Sequence, residues 1–278
     1  MSDYERSLIP LDSEAGQSYA ARLSDGHAAR LAQLLDAFEP QAYGSWCGLA
    51  AAACALQVLG ATASATTQAA LFEEALIVTR STTGQLTAGL SLADLEALII
   101  RSLRERRLET VASVRCASAA DPAMLASTLD ADLAEEGAST YSANYDSSDH
   151  AARSAVDCDL AADLPPPPPI LLVNVLRTVQ GSTTGHWMLA AGSVRVGGER
   201  WVLVLDPAAH KLGPHWLPEL VLISCMATLN SRGEPRGYLA IDFFASRGTD
   251  RQGAGSRISA PERVGDELEP GEEEFTLI

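Results

Sequence analysis

Four residues of this chain have the side-chain types that a covalent acyl-transfer reaction needs, in the order Gln41, Cys47, His186 and Asp206. A thiol becomes a strong nucleophile when it loses its proton, and an imidazole can accept that proton. A carboxylate can fix the tautomer of the imidazole and stabilise its protonated form. A glutamine amide, with the backbone N–H of Cys47, can stabilise the oxyanion of a tetrahedral intermediate. The pattern therefore predicts a nucleophile, a base, an orienting acid and an oxyanion donor.

The segments around these residues predict how they are positioned. A loop ends at Cys47 and an Ala/Leu-rich stretch follows it to about Gly60, so the thiol falls at a helix N-terminus, where partial positive charge favours thiolate. His186 directly precedes one apolar run, and Asp206 closes the next. An early cysteine on a helix with later His and Asp on strands is the layout of papain-type thiol enzymes. We expect an α+β, papain-like fold, with a helical lobe, an antiparallel sheet lobe and the active site in the cleft between them.

Hydrophobic periodicity predicts the remaining elements. Helices are predicted at 17–38, 67–79, 91–107 and 121–136, and Ser91 with Asp94 forms a capping-box pattern. Strands are predicted at 111–116, 170–176, 187–194, 200–206 and 237–244.

The charge distribution predicts the domain organisation. Of the formal net charge of -16, residues 118–164 contribute ten Asp/Glu and one Arg, and residues 248–278 contribute eight Asp/Glu and three Arg. We therefore divide the 278 residues into a helical lobe at 1–115, a sheet lobe at 116–247 with an acidic and proline-rich insertion at 137–169, and an acidic tail at 248–278 that we expect to be disordered. Phosphate contacts need clustered Lys and Arg, so nucleic acid is not an expected partner.

Composition excludes further classes of protein. No run of about 18 apolar residues occurs, so we expect no membrane span, and the acidic N-terminus is unlike a signal peptide. Five cysteines without CxxC spacing argue against a disulfide framework and a cysteine zinc site. We expect reduced thiols, a cytoplasmic location and no metal site.

Several segments resemble the phytochelatin synthase family. The similar stretches are Leu8–Gly16, Leu90–Leu98, Gly185-His186 and Asp206–Trp216, where Asp206-Pro-Ala-Ala-His-Lys-Leu-Gly-Pro-His-Trp216 is similar to the family's DV-x-R-x-K-Y-P-P-x-W stretch. Their joint order covers roughly residues 7 to 245, with one long insertion. The chain resembles the short prokaryotic members of that family.

The resemblance implies a donor site and an altered acceptor site. It places Arg236 where an arginine grips the α-carboxylate of a γ-glutamyl group, and Asn230 where an acidic residue grips the α-ammonium. Ala209 and Leu212 stand where the family has an arginine and a tyrosine that serve the acceptor substrate. Glutathione-to-glutathione transfer is therefore less favoured than formation of an acyl-enzyme.

These observations predict a thiol enzyme that takes a γ-glutamyl-cysteinyl group from a donor such as glutathione, and then hydrolyses it or transfers it to an amine. No cofactor is expected, and heavy-metal ions would enter only as thiolate complexes of the substrate. The oligomeric state is left open, a homodimer included.

Two alternatives stay open. The first is a biosynthetic, amide-forming acyltransferase that uses a different small-molecule or carrier-bound donor, and Asn230 in the acidic position motivates it. The second is a catalytically silent binding module that has kept the fold.

Overall fold

A computed structural model of the protein describes a large part of the chain, all of it inside one compact unit, Met1–Ser246. The described residues are 7–81, 83–84, 86, 89–118, 121–134, 167–179 and 182–243. Most of the insertion predicted at 137–169, and all of the tail predicted at 248–278, lie outside them. The predicted lobe boundary between residues 115 and 116 falls inside a strand, Ala112–Ser118, and the division into lobes stays a prediction.

The helices have clear start signals in the sequence. Ser91 accepts a hydrogen bond from the Asp94 N–H at 3.1 Å, while the Asp94 carboxylate accepts one from the Ser91 N–H at 3.0 Å, which confirms the predicted capping box. Within the described residues there are seven α-helices: α1 (Glu14–Ala20), α2 (Asp25–Ala37), α3 (Cys47–Val58), α4 (Gln68–Val78), α5 (Leu92–Glu105), α6 (Pro122–Asp132) and α7 (Glu219–Met226).

One antiparallel sheet holds all the described strands: β1 (Ile9–Pro10), β2 (Ala112–Ser118), β3 (Ile170–Val179), β4 (Ser182–Val196), β5 (Glu199–Leu205), β6 (His215–Pro218) and β7 (Gly237–Phe243). The spatial order is β1-β6-β5-β4-β3-β7-β2. The central strands of this sheet are therefore β5, β4 and β3.

The core fills both faces of this sheet. On one face, α2 to α5 pack on alternate strand residues such as Leu172, Trp187 and Leu203. On the other face, α6 and α7 cover the intervening residues, such as Val173, Met188 and Val202. This alternation is the period-two pattern of a strand buried on both sides, and it makes an α+β fold in which helices and sheet share a core.

The sequence missed β1, β6 and α7, and it placed the start of β4 late. Pro214 directly precedes β6 and Pro218 is its last residue, and prolines usually mark a turn rather than a strand. The run 187–194 was predicted to begin after His186, but β4 begins at Ser182, so His186 lies inside the strand. Thr183 and Thr184 are polar, and the apolar pattern therefore starts too late to reveal the true beginning of β4.

Candidate active site

Cys47 is the first residue of α3 and its side chain is buried, at 7% exposure. The N-cap residue, Trp46, makes no side-chain capping hydrogen bond. The N–H groups of the first helical turn have no partner within the helix. The thiol therefore lies where the positive end of the helix dipole stabilises a thiolate.

His186 and Asp206 come together from neighbouring strands. His186 pairs with Val175 of β3 across the sheet, and Asp206 follows the last residue of β5. The His186 Nε2 atom lies 2.6 Å from Asp206 Oδ1. Since Nε2 is occupied in this way, Nδ1 is left for the Cys47 side chain, with which the imidazole also makes a hydrogen bond. The structure thus brings together three of the four sequence-predicted catalytic residues. Cys47, His186 and Asp206 form one line of side chains joined by hydrogen bonds.

The electrostatics of this line favour an ion pair between thiol and imidazole. Burial raises the pKa of the Cys47 thiol, but the hydrogen bond and the charge of His186 outweigh it, and the pKa ends below its usual value. Burial lowers the pKa of His186, but its bonds to Asp206 and Cys47 outweigh it, and that pKa ends above its usual value. A depressed thiol pKa beside a raised imidazole pKa is the condition for a reactive thiolate.

The other described cysteines differ from Cys47 in this respect. Burial raises the pKa of Cys54 to about 12 and that of Cys116 to about 11, and it also raises the pKa of Cys225. Among the described cysteines, Cys47 alone has a pKa that falls, so selective alkylation can distinguish it.

Asp206 is fully buried, at 0% exposure, and its two oxygens are both used. The Oδ1 atom also accepts a hydrogen bond from the Ala208 N–H at 2.8 Å, while Oδ2 accepts one from Arg177 Nη1. Burial raises the pKa of Asp206, but the hydrogen bond and charge of His186 and the charge of Arg177 outweigh it, so the pKa falls. The carboxylate is therefore ionised at neutral pH.

Arg177 is a residue that the sequence reasoning missed. It follows the apolar run Ile170–Leu176 of β3, and its side chain is only 3% exposed. A charged residue that continues a buried strand was the available signal, because a buried charge needs a partner.

Gln41 lies at the start of the turn that leads to Cys47. Its Nε2 donates hydrogen bonds to the carbonyl oxygens of Tyr43 at 2.9 Å and Gly44 at 3.1 Å, and its Oε1 is buried without a hydrogen-bond partner. Both amide protons thus support the turn, and Gln41 is not among the residues that line the cavity. An oxyanion role needs one of these bonds to be exchanged for the substrate, and it stays a prediction.

A cavity of about 730 Å³ opens over the thiol and the imidazole. Arg236 lines it with a side chain that is 6% exposed, and Nη1 donates to Asn174 Oδ1 at 2.9 Å, while Nε is buried without a partner. No carboxylate is paired with Arg236 among the described residues. A buried guanidinium without a protein counter-ion is suited to the carboxylate of a ligand.

Gly185 provides the room for that guanidinium. A Cβ added at Gly185 would lie 2.5 Å from Arg236 Nη1, so the guanidinium would have to move from its present position. The Gly-His pair seen in the sequence thus has a physical reason: the glycine admits Arg236, and the histidine that follows faces Cys47.

Asn230 also lines the cavity, but its side chain organises the loop Leu229–Pro235. The Oδ1 atom accepts hydrogen bonds from the N–H groups of Arg232 at 2.8 Å and Glu234 at 3.0 Å, and Nδ2 donates to Glu234 Oε2 at 2.7 Å. Arg232, which lines the cavity, extends from this loop to Asp94 Oδ2 at 3.3 Å. The structure therefore brings Asn230 and Arg236 into the same cavity as Cys47.

The described residues contain neither a cluster of metal ligands nor a membrane-spanning helix. No group of three or more His, Cys, Asp or Glu side chains within them could hold a metal ion. Within the same residues, no helix combines the length and the apolar character needed to cross a membrane.

The α+β fold, with a thiol at a helix start facing a His–Asp pair, is consistent with the papain-like fold that the sequence predicts. A family model for phytochelatin synthase matches residues 2–238, and the chain belongs to this family. Membership implies an enzyme that acts on glutathione and supports γ-glutamylcysteine transpeptidase-type chemistry in general terms. No curated protein matches the chain.

Proposed function

We propose that this chain forms an acyl-enzyme on Cys47 from a γ-glutamyl-cysteinyl donor such as glutathione. One observation carries the proposal: a thiol with a depressed pKa, its imidazole partner and a buried guanidinium without a counter-ion share one cavity. The first group supplies the nucleophile, the second moves the proton, and the third recognises a carboxylate.

The reaction begins when the Cys47 thiolate attacks the carbonyl carbon of the amide that follows the cysteinyl residue. The carbonyl oxygen becomes an oxyanion beside the N–H groups of the first turn of α3, which have no partner within the helix, with Gln41 as a candidate second donor. The imidazolium of His186 gives its proton to the leaving glycine amine as the C–N bond breaks, and a thioester remains. His186 then takes a proton from water or from an acceptor amine, which attacks the thioester and restores the thiol.

Arg236 would hold the α-carboxylate of the γ-glutamyl group through a charge-assisted hydrogen bond. Ala209 is exposed and Leu212 is half-buried, and neither offers the polar group that the family uses for a second substrate. We therefore favour hydrolysis, or transfer to an unusual acceptor, over synthesis of longer peptides. A cytoplasmic location belongs to the same proposal, because glutathione is kept reduced there.

The acyltransferase alternative predicts that the donor has no α-ammonium near Asn230. Replacing Asn230 by Asp alone would set its carboxylate against that of Glu234, since Nδ2 now donates to Glu234. The double variant Asn230→Asp with Glu234→Gln exchanges the acid and the amide, so the loop keeps its hydrogen bond and the cavity gains a charge. Glu234→Gln alone is the matched control.

Glycine release from glutathione distinguishes the two proposals. For a γ-glutamyl donor, the double variant should lower the KM for glutathione, by on the order of 1–3 kcal/mol in binding free energy. Arg236→Ala should raise the KM by at least as much. An unchanged KM in Arg236→Ala would reject the donor-site assignment, and a raised KM in the double variant would favour a donor without an α-amine.

A silent binding module would keep the fold without a reactive thiol. Peptide mapping after a short treatment with iodoacetamide at neutral pH separates this alternative, because an enzyme should be alkylated faster at Cys47 than at Cys54, Cys116, Cys158 or Cys225. Equal rates would favour the silent module.

A further inference from the structure

The Asp206 carboxylate binds two groups that can carry positive charge. Orienting the His186 base requires only one of these two contacts, the one between Asp206 and His186. His186 of β4 binds Oδ1, and Arg177 of β3 binds Oδ2. His215 of β6 also lies near the carboxylate; burial lowers its pKa, and its Nδ1 lies 2.7 Å from the Gly213 carbonyl oxygen. Arg177 is therefore the permanent positive charge among the titratable groups that face Asp206.

The charges of this cluster explain why such a residue is useful. With Arg177 present, Cys47, His186, Asp206 and Arg177 sum to zero both as the thiolate–imidazolium pair and as the neutral thiol–imidazole pair. Without it, either state carries one uncompensated negative charge in a place that water does not reach. A lone buried carboxylate is then driven to take up a proton, and the nearest proton is on His186.

We propose that Arg177 is a positioning residue that keeps Asp206 ionised and oriented while His186 gains and loses its proton. Its charge balances Asp206, so that the proton of His186 passes to Cys47 or to the leaving amine rather than to Asp206. Arg177 itself touches neither the thiol nor the substrate cavity. The assignment rests on the thiol mechanism proposed above, but not on the identity of the donor.

The direction of the effect follows from electrostatics. Removal of a nearby positive charge makes every acid in the cluster harder to ionise, so the pKa values of Asp206, His186 and Cys47 should all rise. The reactive thiolate should then appear only at higher pH. A purely structural arginine would lower the melting temperature without moving the pH at which the thiolate forms.

The test is the pH profile of Cys47 alkylation by iodoacetamide in the full chain, followed by peptide mapping. In Arg177→Met the profile should move to higher pH, and alkylation at pH 6 to 7 should slow by on the order of tenfold. Arg177→Lys keeps the charge and should retain a profile close to that of the wild type. Arg200→Met is the matched control, since Arg200 is a similarly shielded arginine that pairs with Glu219 at 3.1 Å, away from the cavity.

The same substitution in an Asp206→Asn background separates the effect of the Arg177 charge from the effect of its packing. Asp206→Asn removes the carboxylate that Arg177 balances, so adding Arg177→Met there should cause a much smaller further shift than in the wild type, whereas independent effects would add in full. If Arg177→Met alone does not fold, the double variant, which buries no unpaired charge at this site, is compared with Asp206→Asn, and a shift of about tenfold between those two would count against the proposal. An equal shift in both backgrounds, no shift in Arg177→Met, or a loss in Arg177→Lys as large as in Arg177→Met would overturn the proposal.

Failure of the Arg177 proposal and failure of the donor assignment give different results in these assays. If glutathione is not the donor, the wild type will still show fast alkylation of Cys47 and the Arg177 variants will still shift it, but no glycine will be released. If Arg177 has no such role, glycine will be released while the alkylation profiles coincide.

Discussion

At the scale of single residues, the site combines buried charges that compensate one another with one buried charge that no described carboxylate pairs with. Cys47, His186 and Asp206 form a line whose charges compensate one another, with Arg177 at its far end. Arg236 differs, because its guanidinium is buried and no carboxylate among the described residues pairs with it. The first group accounts for reactivity, and Arg236 accounts for recognition.

Gly185→Ala should separate these two properties. The added methyl group would lie 2.5 Å from Arg236 Nη1 and would displace the end of that flexible side chain from Asn174. We expect a KM for glutathione that rises several-fold, on the order of the loss of one charge-assisted hydrogen bond, with little change in the alkylation rate of Cys47. Steady-state glycine release and alkylation measure the two effects. A variant with unchanged KM would contradict the assignment of Gly185 as the residue that admits Arg236.

At the scale of elements, the sequence predicted most of what positions the site. The Ala/Leu-rich run after Cys47 became α3, the capping box became the start of α5, and Asp206 follows β5 as expected. These features are local, because they depend on residues a few positions apart. What the sequence could not predict is pairing between distant segments, such as Arg177 with Asp206 and Arg232 with Asp94.

Asn230 is a second case in which the sequence did not reveal the contacts of a side chain. Alignment with a family motif gave it a place in the donor site, and it does line the cavity. Its hydrogen bonds within the loop Leu229–Pro235 depend on Glu234, which no motif singled out. A single substitution designed from sequence would therefore have disturbed the loop as well as the charge.

The start of α5 should link stability to substrate binding. Asp94→Ala removes one half of the capping box and the partner of Arg232, so we expect a loss of about 1 kcal/mol in the free energy of unfolding and a higher KM for glutathione. Thr67→Ala is the matched control, because Thr67 caps α4 by accepting from the Ala70 N–H at 3.1 Å and does not line the cavity. Urea unfolding and glycine release test both. A KM raised equally by the two variants would show that Arg232 and Asp94 do not shape the cavity.

At the scale of the whole molecule, the acidic segments should be dispensable. Residues 140–163 and those after 250 are rich in acidic and small side chains and have few large apolar ones, too few to offset the entropy of ordering them. We expect that deleting both leaves the melting temperature and the rate of glycine release nearly unchanged. A drop of more than a few degrees, or a changed KM, would show that one of them packs against the catalytic unit.

The central claim is a covalent intermediate on Cys47, and intact-mass measurement of the full chain after rapid mixing with glutathione and an acid quench tests it most directly. The account predicts that the wild type gains the mass of glutathione less glycine on the Cys47 peptide, that a reducing agent does not remove this group, and that Cys47→Ser shows none of it while still folding. A gain of the whole of glutathione that a reducing agent removes would indicate only a mixed disulfide. That result, or no adduct together with glycine release by Cys47→Ser, would contradict the account.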